Sequence, residues 1–216
     1  MGLTITYILI FAWSYLLGAI PFSYLMVKIF NGKDLRSEGS GNLGTLNSYE
    51  VSQNKLIAIS VLVLDLLKAI ISVAIANQLF GEHNSIGTII AGIGIIAGHN
   101  WNIFLKFRGG RGLAPAAGLA FAINIFPLVV WLTLWTITKI SFKNIHIANC
   151  LSSLISIAII WIAPSAIIQY FDSAFYIDIA SLRVLFTAVN ILILLGHFNV
   201  FSQLIPTNSQ RTDNDD

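Results

Sequence analysis

Charge is what this chain has least of. Lys, Arg, Asp and Glu make up 10% of its 216 residues, where a soluble domain carries roughly 25%. So few charges cannot cover a soluble surface, and a mean hydropathy of +0.79 points the same way. With 56% hydrophobic residues, a disordered chain is excluded too, since disorder needs low hydrophobicity and high charge. A single cysteine, Cys150, excludes a disulfide scaffold. The net charge of +2 is too small to suggest a nucleic-acid binder. No HExxH and no Cys/His cluster supports a metal site, and no cofactor motif is found. An all-α polytopic membrane protein remains.

Long apolar runs are what the chain does have. A helix needs roughly 20 such residues to cross the hydrocarbon core. The runs are 3–30, 55–79, 85–98, 112–140, 145–168 and 179–200. The fourth contains Asn124 and Pro127, and an interior proline removes a donor and clashes with the preceding turn. It is therefore expected to be two short helices broken near 124–127, which makes seven transmembrane helices. Cytoplasmic loops carry the Lys and Arg. With the N-terminus outside, Lys33, Arg36, Lys106, Arg108, Arg111, Lys139, Lys143 and Arg211 all fall inside. Arg183 opposes the rule, and Lys68 lies within a span. The expected topology is N-terminus outside and C-terminus cytoplasmic. The first run lacks the basic flank of a cleavable signal and is taken as a retained helix. Met1-Gly2 followed by Thr6 fits a myristoylation pattern, but Gly2 would face the outside, so lipidation is not expected. Residues 1–206 form one membrane domain on this reading, and 207–216 form a polar, disordered tail.

Two of the inside loops look unlike plain connectors. The first, 32–47, interleaves Gly39, Gly41 and Gly44 with Ser40, Asn42 and Asn47. Glycine permits positive φ and close approach to a ligand, and successive N–H groups in such a turn form an anion-binding concavity. A flexible tight turn explains this loop equally simply. The second runs from His99-Asn100 to Phe107-Arg108-Gly109-Gly110-Arg111-Gly112. Cations and glycines precede a helix start, where free N–H groups and positive potential favour anions, and arginine adds forked phosphate recognition. Topology alone needs the charges but not the glycines. The two loops together point to a shared anionic ligand, a phosphate or a carboxylate, at one bilayer face.

Other features are less specific. Asp65 and Lys68 lie three apart on one helical face. Ionisable groups in a span suggest function, while mutual neutralisation makes a structural pair as good a reading. Gly94 and Gly98 form a GxxxG, a helix-packing face. His99 and His197 sit at inner span ends as a possible base or donor, or as structural residues; His83 and His146 lack polar company.

In this order the loops resemble the membrane acyl-phosphate:glycerol-3-phosphate acyltransferase family. The resemblance runs from about residue 12 to 200. It rests on 15–22, 32–36, Gly39-Ser40-Gly41-Asn42, Gly44, Asn47, Leu64-Asp65 with Leu67-Lys68, Gly98-His99-Asn100, 107–112, and His197 with Asn199. It implies seven spans with the motifs on the cytoplasmic side of a bacterial inner membrane. The implied reaction moves a fatty acyl group from acyl phosphate to the 1-hydroxyl of glycerol 3-phosphate, giving lysophosphatidic acid in phospholipid biosynthesis. Acyl-CoA should not substitute. The His-x4-Asp dyad of soluble-facing glycerolipid acyltransferases does not occur. Carried over by position, Ser40, Arg111 and His197 are the catalytic candidates. Arg36, Gly39, Gly41, Asn42, Asn47, His99, Asn100, Arg108, Gly109, Gly110 and Asn199 are the substrate-binding candidates. The implied partners are the two substrates and membrane lipid.

The chain departs from the family pattern in several places. Glu50 stands where a basic residue is usual, Asn149 where a serine is usual, and Gln203 where an arginine is usual. Each departure removes polarity or charge suited to anions. A non-catalytic relative that binds anionic lipid or acyl phosphate is the alternative reading.

Overall fold

The computed structural model describes residues 2–81 and 84–204, with side chains as far as residue 198. Glu82, His83 and the expected tail at 207–216 lie outside the described residues, and so do the side chains of Asn199 and Gln203. The helices are α1 (Leu3–Gly18), α2 (Phe22–Asn31), α3 (Thr45–Ser52), α4 (Lys55–Phe80), α5 (Ser85–Asn100), α6 (Leu113–Ile123), α7 (Phe126–Phe142), α8 (Ile145–Ile162), α9 (Ser165–Gln169) and α10 (Ile179–Leu204). A 3-10 turn, Ile103–Leu105, follows α5. Among the described residues, five stretches are long and apolar enough to cross a membrane: Leu3–Asn31, Lys55–Phe80, Ser85–Leu105, Ile145–Ile162 and Ile179–Phe198. α6 and α7 are apolar but shorter.

Side chains at the helix starts explain several boundaries. Asn54, Asn84 and Asn144 cap α4, α5 and α8, each accepting from a backbone N–H two or three residues on. Asparagine at this position satisfies one of the orphan donors of the first turn. The break expected near Asn124 is present. α6 ends at Ile123, Asn124 is extended, and Pro127 stands in the first turn of α7, where its missing N–H does no harm. Asn124 is fully buried. It donates to Ile168 O at 2.8 Å and Asp172 Oδ1 at 2.7 Å, and accepts from Phe126 N at 3.0 Å.

Two runs and one loop differ from expectation. The first is two helices, because Pro21 has no N–H with which to continue α1. The carbonyls this break releases are claimed by distant side chains. Lys68 Nζ donates to Gly18 O at 2.8 Å, and Asn102 Nδ2 donates to Ala19 O at 2.6 Å. The fifth run ends at Ile162 rather than Ile168, since Pro164 turns the chain into α9. The first inside loop contains a helix, α3, that the glycine pattern had hidden.

Packing follows the small residues. Gly94 and Gly98 bring α5 directly onto the α1 backbone, so that a Cβ at Gly98 would run into the Tyr15 carbonyl. The main core joins Ala69 and Val73 of α4, Ile95 and Ile96 of α5, Leu119 and Ile123 of α6, and Leu182, Leu185 and Phe186 of α10. Leu56, Ile140 and Ile162 lie on the outside, as lipid-facing positions do. Arg183, the charge that opposed the topology rule, donates to Ile160 O at 3.2 Å and Ala163 O at 2.8 Å. It satisfies the last carbonyls of α8, a favourable place for a cation.

Candidate functional site

The first glycine-rich loop is wound around one side chain. Asn47, in the first turn of α3, is 1% exposed. Its amide donates to Asn42 O at 2.9 Å, Glu38 O at 3.2 Å and Leu35 O at 3.5 Å, while its oxygen accepts from Ser40 N at 3.0 Å. Gly39 and Gly41 take positive φ of 58° and 67° to make this possible. Asn47 is thus spent on the loop rather than pointed at a ligand. Ser40 is exposed at the loop's tip. Arg36 forks onto Asp34 at 2.6 and 2.9 Å and lies over the Tyr24 ring. Those hydrogen bonds hold the exposed Asp34 carboxyl down at about 2.

The second loop lies against the first. Leu43 N donates to Gly109 O at 3.3 Å, and Gly110 N donates to His99 O at 3.0 Å. A Cβ at Gly110 would collide with the His99 ring, so glycine there is a requirement of close approach. Below this contact is a buried polar trio. Lys68 Nζ lies 2.7 Å from Asp65 Oδ1 and 3.0 Å from His99 Nδ1, and Lys68 and Asp65 are each 2% exposed. The structural pair suggested by the sequence is therefore a triad that seats the ring on which Gly110 rests. Asn100 donates to Leu192 O at 2.9 Å and ties the same point to α10.

Arg111 is turned inward. Its Nη1 donates to His146 Nδ1 at 3.2 Å, and burial pulls its guanidinium below the ordinary value without discharging it. Behind it, Trp135 Nε1 donates to Asn149 Oδ1 at 2.7 Å, and Asn149 Nδ2 donates to His197 Nε2 at 3.0 Å. His197 Nδ1 donates to Ile193 O at 2.8 Å. Both His197 nitrogens are engaged, and the residue is 1% exposed. Asn149, noted as a departure, is the partner that holds it.

These parts enclose a cavity of about 560 Å³ between loop 1, α4, α7 and α8. Asn42, Gly44 and Thr45 line it from loop 1 and α3, Asp65 and His99 from the triad, and Arg111, His146 and Asn149 from the far side. Thr45 Oγ1 is buried there with no partner among the described residues. An apolar cavity of about 190 Å³ adjoins it, lined by Ala117, Ala120, Leu128, Phe186 and Val189 among others. The two share Leu62, Leu113, Ala114, Trp131 and Leu132 as walls.

Of the residues expected from sequence, Asn42, His99 and Arg111 meet in the cavity. Gly39, Gly41 and Asn47 shape loop 1, and Asn100, Gly109 and Gly110 join the second loop to α5. Ser40, Arg36 and Arg108 are exposed and do not line the cavity, and His197 lies buried behind Asn149. The side chain of Asn199 lies outside the described residues. Glu50, exposed on α3, is not part of the cavity wall. The sequence reading missed Thr45 and His146. Thr45 lies in the first loop beside Gly44 but was not singled out there, and His146 finds its polar partner 35 residues away.

A family model described as glycerol-3-phosphate acyltransferase matches residues 8–206. A glycerol-3-phosphate acyltransferase of Anaplasma marginale is 34% identical over 197 residues, covering 91% of this chain and 90% of the relative. Its counterpart in Pelagibacter ubique is 36% identical over 148 residues, 68% of this chain and 75% of that one. Among solved structures, PlsY, an integral membrane glycerol 3-phosphate acyltransferase in its glycerol 3-phosphate form, superposes with a TM-score of 0.70. It is 25% identical over 92% of each chain. Its lysophosphatidic acid form, 23% identical, has the same fold with a TM-score of 0.69.

Proposed function

The chain belongs to the glycerol-3-phosphate acyltransferase family, and from that premise we propose that it transfers a fatty acyl group from acyl phosphate to the 1-hydroxyl of glycerol 3-phosphate. The products are lysophosphatidic acid and inorganic phosphate. The observation that carries this reading is the shared wall between a cavity that holds Asp65, His99, Arg111 and His146 and a second, apolar one. Both substrates bear phosphate, and one of them also bears a long alkyl chain. Arg111 and the loop N–H groups suit the phosphate, while the slot lined by Ala117, Ala120 and Leu128 suits the chain.

The reaction needs little covalent help from the protein. The hydroxyl oxygen attacks the acyl carbonyl carbon, and the bond from that carbon to the phosphate oxygen breaks. The hydroxyl proton ends on the departing phosphate or in solvent. Acyl phosphate already carries a good leaving group, so positioning and charge stabilisation suffice. Arg111 supplies charge beside the leaving group. The exposed Ser40, Arg36 and Arg108, with Asn199, receive phosphate from the aqueous side. With both ring nitrogens engaged, His197 acts through Asn149, holding its amide at the cavity wall.

Seven spans are counted in this reading, α6 and α7 crossing as two short helices, with the N-terminus outside and the C-terminus cytoplasmic. The site then faces the cytoplasm of a bacterial inner membrane, within one domain covering 1–206. The polar residues gather at one end of the bundle, which suits exchange with soluble glycerol 3-phosphate. Purified protein in lipid, given palmitoyl phosphate and glycerol 3-phosphate, is expected to release phosphate and form lysophosphatidic acid, and palmitoyl-CoA is expected to give none. Absence of turnover in every lipid tried would overturn the reading.

A further inference from the structure

His146 occupies the cavity wall where no sequence motif placed a function. It is the second residue of α8, and Asn144 Oδ1 accepts from its backbone N–H at 2.8 Å, which fixes where the side chain leaves the helix. The Arg111 guanidinium donates to its Nδ1 at 3.2 Å. Arginine has only donors and stays protonated. Nδ1 must therefore accept, and the ring proton resides on Nε2. Nε2 has no partner among the described residues. The contrast with His197, 6.3 Å away ring to ring, is direct, since both nitrogens of that ring are taken. Arg111 spends one nitrogen on His146, and the rest of its fork has no partner among the described residues.

We propose that His146 is a substrate-phosphate ligand, its Nε2–H and the free side of the Arg111 fork gripping one phosphate together. This rests on the acyltransferase reading above and deepens it. The shared chemistry is a phosphate monoester or an acyl phosphate.

Two variants separate a ligand from a mere seat for Arg111. His146→Asn keeps an acceptor near the Nδ1 position and loses the Nε2 donor. His146→Gln places a donor near Nε2 and loses the Nδ1 acceptor. A substrate ligand predicts that His146→Asn raises KM for one substrate about tenfold with kcat changed less, and that His146→Gln stays within about threefold of the native protein. Rise in the KM of glycerol 3-phosphate assigns the site to the acceptor, and rise in that of palmitoyl phosphate assigns it to the donor. A seat for Arg111 predicts the opposite order, with Gln impaired and Asn near normal; that order, or no change in either variant, overturns the proposal. Binding of inorganic phosphate to detergent-solubilised protein, followed by calorimetry, is the second arm. Weaker binding in His146→Asn, even in a preparation without turnover, supports the ligand and rejects only the acyl-transfer reading. Equal phosphate binding in native protein and His146→Asn overturns the ligand.

Discussion

A lysine buried at 2% exposure inside a span is held in place by everything around it. Lys68 meets Asp65, His99 and the Gly18 carbonyl, and Phe22 lies under its ammonium. Removing one partner of such a pair strands a buried charge and costs about 3–5 kcal/mol, whereas replacing both with neutral groups costs far less. Lys68→Met is therefore expected to lower the unfolding midpoint sharply, and Lys68→Met with Asp65→Asn is expected to recover much of it. Thermal unfolding in detergent, followed by intrinsic tryptophan fluorescence, measures both. Arg111 and Lys106 make a second comparison. Arg111 is drawn into the cavity, while Lys106 is exposed at the end of the 3-10 turn with a left-handed φ of 55°. A charge-assisted hydrogen bond contributes about 1.5–3 kcal/mol. At equal folded amounts, Arg111→Ala should lose at least about tenfold in kcat/KM and Lys106→Ala little. Equal losses would mean that both serve only to orient the chain in the membrane.

Helices in this molecule meet through their glycines. α1 and α5 approach so closely that Gly98 faces the Tyr15 carbonyl and Gly94 faces the Phe11 carbonyl. Because the obstruction is backbone, no rotamer change relieves it. Gly98→Leu is expected to cost about 3 kcal/mol or more and to reduce the yield of folded protein, read by gel filtration in detergent. The GxxxG was legible in the sequence because spacing alone declares it, and the α6–α7 break was legible because proline and asparagine interrupt an otherwise continuous apolar run. The α1–α2 break was not. Pro21 lay inside a run of sufficient length, and the partners that satisfy the released carbonyls, Lys68 and Asn102, come from residues far along the chain. α3 stayed hidden for a related reason. Its sequence, TLNSYEVS, has no apolar stripe, and what holds it is Asn47 bonding backward into its own loop.

The glycine-rich loops were found in the sequence because their composition is unusual, but which residues would face inward was not. Loops 1 and 2 touch through Leu43 and Gly109, and the cavity is closed by α8, a helix that no motif marked. The orientation of the whole bundle gives a direct test. Ser37, in loop 1, and Ser173, between α9 and α10, are both exposed. In a Cys150→Ser background, Ser173→Cys is expected to react with a membrane-impermeant maleimide on intact cells. Ser37→Cys should react only after permeabilisation, and the reverse pattern would invert the topology. The break at Pro21 also bears on how the bundle is made. An unsatisfied carbonyl in hydrocarbon costs several kcal/mol, and those of Gly18 and Ala19 wait for a lysine and an asparagine supplied from α4 and from just beyond α5. The Gly18 end of α1 is thus complete only once α4 and Asn102 are in place, so these helices mature as a set rather than one span at a time.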